Sequence, residues 1–238
     1  MTDNLTNTFV LVHGAWCGAW VWGKVANGLR EMGHQVSTPT LTGIGERRHI
    51  GANTASLTTH IEDLAAHVEM ENLRNVTLVG WSYGGAVVTG TFPRIAERIK
   101  SVIYLDAFVP ECGKSMADCS PPEVRSILEE HKEKDEAVPP LPLAFLGITD
   151  KELVDFAAPR LSGQPWRTLF EPLQTSWSTF AVPKSYIRCA AHNYAPFAEA
   201  YERVKSKSDV RTAIINTPHA CMLTHSLDCI RALLSSAP

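Results

Sequence analysis

Apolar and polar positions along the chain predict strands and helices in turn. The apolar run Phe9-Val10-Leu11-Val12 is typical of a strand buried on both faces, and similar runs recur through the chain. The predicted strands cover residues 9–12, 35–38, 76–79, 102–105, 185–189 and 211–215. The predicted helices cover residues 20–32, 58–72, 86–92, 196–205 and 222–234. This alternation favours an α/β fold with a mostly parallel, doubly wound sheet that carries helices on both faces.

Two helix ends in this pattern carry recognisable signals. Gly33 follows the first predicted helix, where a glycine can adopt the left-handed conformation that ends a helix. Thr58 or Thr59 can cap the start of the second helix, because a hydroxyl oxygen can accept a hydrogen bond from the first turn.

The alternation stops after Pro110 and resumes near residue 185. The segment between them is rich in proline and contains short stretches with helical spacing but no predicted strand. We therefore expect one domain over residues 1–238. Within it, residues 111–182 are predicted to form a helical cap, inserted after the sixth strand of the fold.

Composition narrows the class of protein. A chain of 238 residues suits one domain with a full core, and its net charge of −3 leaves no basic surplus to bind nucleic acid. Neither a secretory signal nor an apolar run of membrane-spanning length is found, so a cytoplasmic protein is expected. The six cysteines have no metal or redox spacing and are predicted to be free thiols. A homodimer is left open.

The first chemical motif is a candidate nucleophile. Gly80-Trp81-Ser82-Tyr83-Gly84 matches G-x-S-x-G, directly after an apolar strand and before a helix of small residues. A serine on such a tight turn is strained, and the flanking glycines leave room around it. Its oxygen then stands clear near a helix N-terminus, which favours developing negative charge. Ser82 is therefore the predicted nucleophile.

An acyl-transfer nucleophile needs backbone donors for the oxyanion. One is predicted to be the N–H of Tyr83, which follows the serine, and the second the N–H of Ala15 in the loop after the first strand. His13 in that same loop is interpreted as a structural, hydrogen-bonded histidine.

Nine histidines compete for the role of general base. In this kind of fold the catalytic histidine follows the last strand, and His219 occupies that place. His225 is the alternative, but it falls inside the last predicted helix. No histidines have the spacing of metal ligands, so no metal site is predicted.

A carboxylate should orient the histidine, and its position is the unusual feature of this sequence. The loop after residues 185–189 is the expected place, yet it contains no carboxylate. Asp106 ends the strand that follows the nucleophile, so its side chain should lie at the same edge of the sheet. We predict Asp106 as the orienting acid, with Asn193 as a neutral alternative.

These motifs resemble the plant methylesterase and hydroxynitrile lyase family and its bacterial esterase relatives. The resemblance rests on residues 9–16, 20–22 and 80–84, and residues 38–47 and 104–110 resemble the bacterial branch. It covers nearly the whole chain and is weakest over residues 111–182. It implies an α/β-hydrolase fold, no cofactor and a Ser-His-acid catalytic triad with an oxyanion hole.

The resemblance also distinguishes branches of that family. Its lyases typically carry threonine where this chain has Gly14 and lysine where it has Ala220, and those groups handle the cyanohydrin hydroxyl and the leaving cyanide. Their absence favours the esterase branch. The family's usual aspartate aligns with about His192, which is where this chain departs from the pattern. Relatives include amide, carbamate and lactone hydrolases.

Large apolar side chains in the cap and at the strand ends predict an apolar pocket. The predicted substrate-binding residues are Trp16, Phe108, Trp166, Trp177 and Met222. The expected function is a cofactor-free serine hydrolase that cleaves a small apolar or aromatic carboxylic ester, or a carbamate or amide, through an acyl-enzyme on Ser82. The alternatives are a lyase or cofactor-free oxygenase with His219 as base, and a non-catalytic small-molecule receptor.

Overall fold

The computed structural model describes residues 6–51 and 54–238, and six strands of that chain form one sheet. The strands are β1 (Thr8–Val12), β2 (Gln35–Ser37), β3 (Val76–Trp81), β4 (Ile99–Leu105), β5 (Lys184–Cys189) and β6 (Val210–Ile215). Their order is β2-β1-β3-β4-β5-β6, and every neighbouring pair is parallel. The predicted α/β architecture with a parallel sheet is confirmed.

Nine α-helices accompany the strands in the described residues. They are α1 (Gly23–Glu31), α2 (Leu57–Met70), α3 (Gly84–Ile95), α4 (Pro122–Glu133), α5 (Lys151–Ala157), α6 (Trp166–Phe170), α7 (Ala195–Lys205), α8 (Cys221–Thr224) and α9 (Ser226–Ser236). Helix α1 packs on α9, and α2 packs on α3. None of the described helices is long and apolar enough to cross a membrane.

The central strands of the sheet are buried on both faces, as their apolar runs predict, whereas the edge strand β6 is partly exposed. Alternate residues of a strand point to opposite faces, so Val10 and Val12 of β1 join one core cluster. Phe9 and Leu11 join the other, with α1 and α9. All six residues of β3 are buried between these two layers.

The strand order fixes where a ligand site can form. The chain runs from β1 outward to β2, then returns to place β3 on the other side of β1. At such a reversal the loops after two adjacent strands diverge and leave a crevice at their carboxyl ends. The loops that follow β1 and β3 carry Ala15 and Ser82, which is why the two can share one site.

Several helix boundaries differ from the predicted ones. The cap of α2 is Ser56 rather than Thr58 or Thr59: its side chain accepts from the N–H of Thr59, whose own hydroxyl accepts from the N–H of Ser56. The predicted closing helix is interrupted at His225, where φ −137° and ψ 53° leave the helical region. Gly33 does end the first helix, with φ +89°.

The segment between β4 and β5 contains α4, α5 and α6, and the strand before it is the fourth of the six described. A single antiparallel bridge joins Val138 to Gln164, so the segment is not wholly free of strand pairing. The six cysteines are all free, as predicted, and four of them are buried.

Candidate active site

Ser82 lies on a sharp turn between β3 and α3. Its φ is +55°, a left-handed conformation that costs a non-glycine residue about 1–3 kcal/mol. Two hydrogen bonds hold the turn, because the carbonyl of Ser82 accepts from the N–H of Gly85 at 3.1 Å and of Phe108 at 3.0 Å. A Cβ at Gly80 would lie 2.6 Å from the carbonyl oxygen of Gly84, so this turn needs its glycines.

Asp106 lies immediately after β4 and is completely buried. Its Oδ2 is 2.8 Å from Nδ1 of His219 and 3.0 Å from Nδ1 of His192. Its Oδ1 accepts from the guanidinium of Arg188 and, at 3.2 Å, from the N–H of Cys189. Burial alone would raise the pKa of Asp106, but the hydrogen bonds from both histidines and the charge of Arg188 hold it well below the usual range.

His219 lies in the loop after β6 and is packed between aromatic rings. Its imidazole stacks on Phe197 with ring centroids 4.9 Å apart, and its carbonyl accepts from the indole N–H of Trp81 at 3.0 Å. Burial lowers the pKa of His219, and the bond to Asp106 offsets this only in part. Because Nδ1 faces Asp106, Nε2 is the ring nitrogen left to act as a base at neutral pH.

Ser82 and His219 line one cavity of about 130 Å³, which the segment between β4 and β5, the predicted cap, also lines. None of the residues that line this cavity is an aspartate, glutamate, lysine or arginine. The cap side contributes Val124, Leu128, Val138, Leu141, Phe145 and Leu146. The cavity is therefore apolar apart from a few groups, among them the serine and the histidine.

One of the two predicted oxyanion donors belongs to a residue that lines this cavity, and the other belongs to the residue after Ser82. Ala15 lines it together with Ser82, and Tyr83 is the residue before the first turn of α3. Both lie outside the helices and strands, and in residues 6–51 and 54–238 neither N–H donates to another backbone group. Two amides without a backbone partner, one in the loop after β1 and one at the start of α3, can stabilise an oxyanion.

Two of the five predicted substrate-binding residues, Trp16 and Phe108, line the cavity. Trp16 is fixed by the cap, since its indole donates to the carbonyl of Val138 at 3.0 Å. The other three predicted residues do not line this cavity. Trp166 donates to Asp135 at 2.8 Å on the outside of the cap, while Trp177 and Met222 are packed in the core.

The alternative base and the alternative to the acid that the sequence offers both lie at the surface. His225 and Asn193 are both exposed, and Nδ1 of His219 faces Asp106 rather than Asn193. His13 is buried, with Nδ1 2.8 Å from the carbonyl of Gly14 and Nε2 accepting from the N–H of Leu41 at 3.1 Å. These contacts agree with the structural role that the sequence predicts for His13.

Sequence reasoning missed two residues of this cluster, Arg188 and His192. Arg188 belongs to the wholly buried strand β5, and a charge in such a strand must be paired. An arginine within an otherwise apolar predicted strand is therefore the signal in the sequence that could indicate a buried acidic partner. Ligand atoms of Asp106, His192 and His219 lie within 4.8 Å of one another, close enough to hold a metal ion. The guanidinium on Asp106 opposes a cation there, so we interpret the cluster as hydrogen-bonded.

The fold carries a serine on the tight turn after β3, a histidine after the last strand and a buried carboxylate between them. Together these features define an α/β hydrolase. The chain belongs to the alpha/beta hydrolase family, whose profile matches residues 9–231. The carbendazim hydrolyzing esterase of Nocardioides sp. (strain SG-4G) is 52% identical over 120 residues, which cover 49% of this chain and 50% of that relative. Methylesterase 1 of Arabidopsis thaliana is 35% identical over 110 residues, covering 45% and 41%. The chain thus spans about half or less of the length of these relatives.

Solved structures agree on the fold. An extracellular alpha/beta-hydrolase from a Paenibacillus species superposes with a TM-score of 0.86 at 24% identity, covering 97% of this chain and 99% of that one. The Arabidopsis methylesterase protein MES16 superposes with a TM-score of 0.77 at 22% identity, covering 97% and 98%.

Proposed function

We propose that the protein is a cofactor-free serine esterase that cleaves a small, neutral, apolar or aromatic ester. The observation that carries this proposal is the placement of Ser82 and His219 on one apolar cavity, with Asp106 bonded to the far nitrogen of that histidine. The match of residues 9–231 to the family profile supports hydrolase chemistry, and the names of the relatives favour esters.

The proposed reaction proceeds through an acyl-enzyme on Ser82. His219 Nε2 takes the hydroxyl proton as Ser82 attacks the carbonyl carbon, while the N–H groups of Ala15 and Tyr83 stabilise the oxyanion. His219 then gives the proton to the leaving alcohol. Water repeats the sequence on the acyl group and releases the acid. Asp106 stabilises the imidazolium at both steps.

The cavity supports a neutral and compact substrate. No charged side chain lines it, so a free carboxylate or an ammonium group would lose its hydration without gaining a partner. An apolar cavity of about 150 Å³ admits benzene in an engineered protein, which is close to the present 130 Å³. One aromatic ring or a short acyl chain matches this space.

The bond cleaved can be an ester or a carbamate. The name of the Nocardioides relative points to carbendazim, and the names of the plant relatives point to methyl esters. We propose both as substrate classes. The lyase alternative finds no support at Gly14, because a Cβ there would lie 2.9 Å from Cβ of Ser82 and 3.0 Å from the Trp81 ring.

Turnover measurements test the proposal. Wild type and Ser82→Ala would be assayed with p-nitrophenyl acetate and butyrate, methyl benzoate and carbendazim. We expect hydrolysis of at least the activated esters by wild type, with a loss of about a thousandfold or more in Ser82→Ala. Equal rates in both proteins would contradict the proposal, as would a folded wild type that turns over none of these compounds.

A further inference from the structure

The buried carboxylate of Asp106 serves two histidines at once. Nδ1 of His219 and Nδ1 of His192 both face its Oδ2, at 2.8 and 3.0 Å. The two imidazole rings lie side by side, with centroids 4.5 Å apart. A single oxygen atom therefore accepts hydrogen bonds both from the predicted base and from a second histidine, which does not line the cavity.

The second oxygen of Asp106 is also occupied. Arg188 donates to Oδ1, and it reaches the carbonyl of Cys189 at 2.6 Å and the carbonyl of His192. Arg188 thus ties Asp106 to the loop that carries His192. Its positive charge balances the carboxylate before His219 takes up any proton, so less negative charge is left to stabilise the imidazolium.

The geometry gives His192 one role in this cluster. Its Nδ1 must donate, because Asp106 Oδ2 can only accept. Its Nε2 is buried and has no hydrogen-bond partner among the described residues. The ring is held edge-on to Phe145 with centroids 5.1 Å apart, and Phe145 lines the cavity. His192 therefore hydrogen-bonds to Asp106 and packs beside the ring of His219.

We propose that His192, supported by Arg188, is a positioning residue that holds Asp106 and limits how strongly this carboxylate draws a proton onto His219. The inference rests on the proposed function in that His219 is the base. Asp106 follows its strand with a left-handed φ of +42°, so its orientation needs such external support.

Other titratable groups surround Asp106 and His219 without competing for this role. They are Tyr186, Cys189 and Cys221. The pKa of the Tyr186 phenol is raised well above its usual range, mainly by burial. The pKa of the Cys189 thiol is raised by its hydrogen bond with Cys221 and by burial. For Cys221 the bond with Cys189 lowers the pKa, but the bond with Cys229 and burial raise it further, so its pKa is also well above the usual range. The titratable and charged side chains that act on His219 are therefore Asp106, Arg188 and His192.

The direct test is a titration of the His219 imidazole by NMR in protein labelled with ¹⁵N-histidine. The first variant is His192→Leu, which removes the Nδ1 donor to Asp106. The second is Arg188→Lys, which keeps the positive charge but loses the several donors of the guanidinium. His225→Leu is the control, because this histidine is exposed and outside the cluster. We expect the pKa of His219 to rise by about one unit in His192→Leu, by less in Arg188→Lys and not at all in His225→Leu.

The same variants should move the acid limb of kcat/KM upward by a matching amount. A role confined to packing would lower kcat or stability and leave both the limb and the NMR titration in place. An unshifted His219 in folded His192→Leu overturns the inference. If that variant does not fold, Arg188→Lys decides, and an unshifted His219 there overturns it equally. The NMR readout needs no turnover, so an inactive wild type would remove the proposed function and leave this test standing.

Discussion

Oδ2 of Asp106 lies 2.8 Å from Nδ1 of His219, although 113 positions separate the two residues in the chain. The contact forms because β4 and β6 are parallel strands of one sheet, and residues that follow their carboxyl ends meet at the same edge. This relationship leads to the first prediction.

Asp106→Asn should lower kcat by about ten thousandfold, because the neutral amide can no longer fix the tautomer of His219 or stabilise its charged form. The measurement is kcat for p-nitrophenyl butyrate, with circular dichroism as a check on folding. Asn193→Ala is the matched control and should retain wild-type rates, since Asn193 is exposed. Wild-type rates in Asp106→Asn together with loss in Asn193→Ala would reverse the assignment.

The space behind the nucleophile is predicted to be critical. In Gly14→Ala the new Cβ would come within 2.9 Å of Cβ of Ser82, so the serine or the Trp81 ring must move. A displacement near 1 Å can cost about a hundredfold, and we expect kcat/KM to fall by that order. Gly23→Ala serves as the control, because no atom lies within 4 Å of its added Cβ. Equal activity of both variants would contradict the tight packing described around the turn that carries Ser82.

Substrate length should depend on Leu128, which is buried in α4 and lines the cavity. Leu128→Ala enlarges the cavity, so kcat/KM for p-nitrophenyl hexanoate relative to acetate should rise about tenfold. Trp166→Phe should leave this ratio unchanged, because Trp166 lies outside the cavity. A ratio that moves in Trp166→Phe and not in Leu128→Ala would mean that substrate binds elsewhere.

Two buried histidines should make the fold sensitive to acid. Burial lowers the pKa of His13 and of His60 to about 4, whereas the unfolded chain titrates near 6.5. Below pH 6.5 the unfolded state therefore binds protons that the folded state does not, and stability falls as the pH drops towards 4. The expected loss between pH 7 and pH 5 is about 2 kcal/mol per histidine.

Urea unfolding at the two pH values checks this expectation. Between the two pH values, His60→Gln should lose about 2 kcal/mol less free energy of unfolding than wild type, which is the contribution of one histidine. This difference is expected even if the variant is less stable at pH 7. His49→Gln is the control, since His49 is exposed and should leave the pH dependence unchanged. A pH dependence in His60→Gln equal to that of wild type would contradict the burial argument.

The sequence predicts the strand-end positions well, because apolar runs mark buried strands and motifs then fall at their carboxyl ends. Ser82, Asp106 and His219 could all be singled out in this way. The residues that line the cavity could not be predicted in this way. Proline-bearing segments such as residues 139–148 have no regular spacing of apolar positions, so the sequence does not indicate which side chains point inward. Trp166 and Trp177, which the sequence predicts to bind substrate, lie outside the lining of this cavity. His192 was noticed only as the residue in an acid's usual place.

An activated Ser82 should react with a fluorophosphonate, and the mass of the intact protein after this treatment reports the reaction. We predict one adduct per wild-type chain, located on the peptide that contains Ser82, and none on Ser82→Ala. The adduct should form more slowly in Asp106→Asn, because activation passes through His219. An unmodified wild-type protein that is folded, or equal modification of Ser82→Ala, would show that Ser82 is not an activated nucleophile.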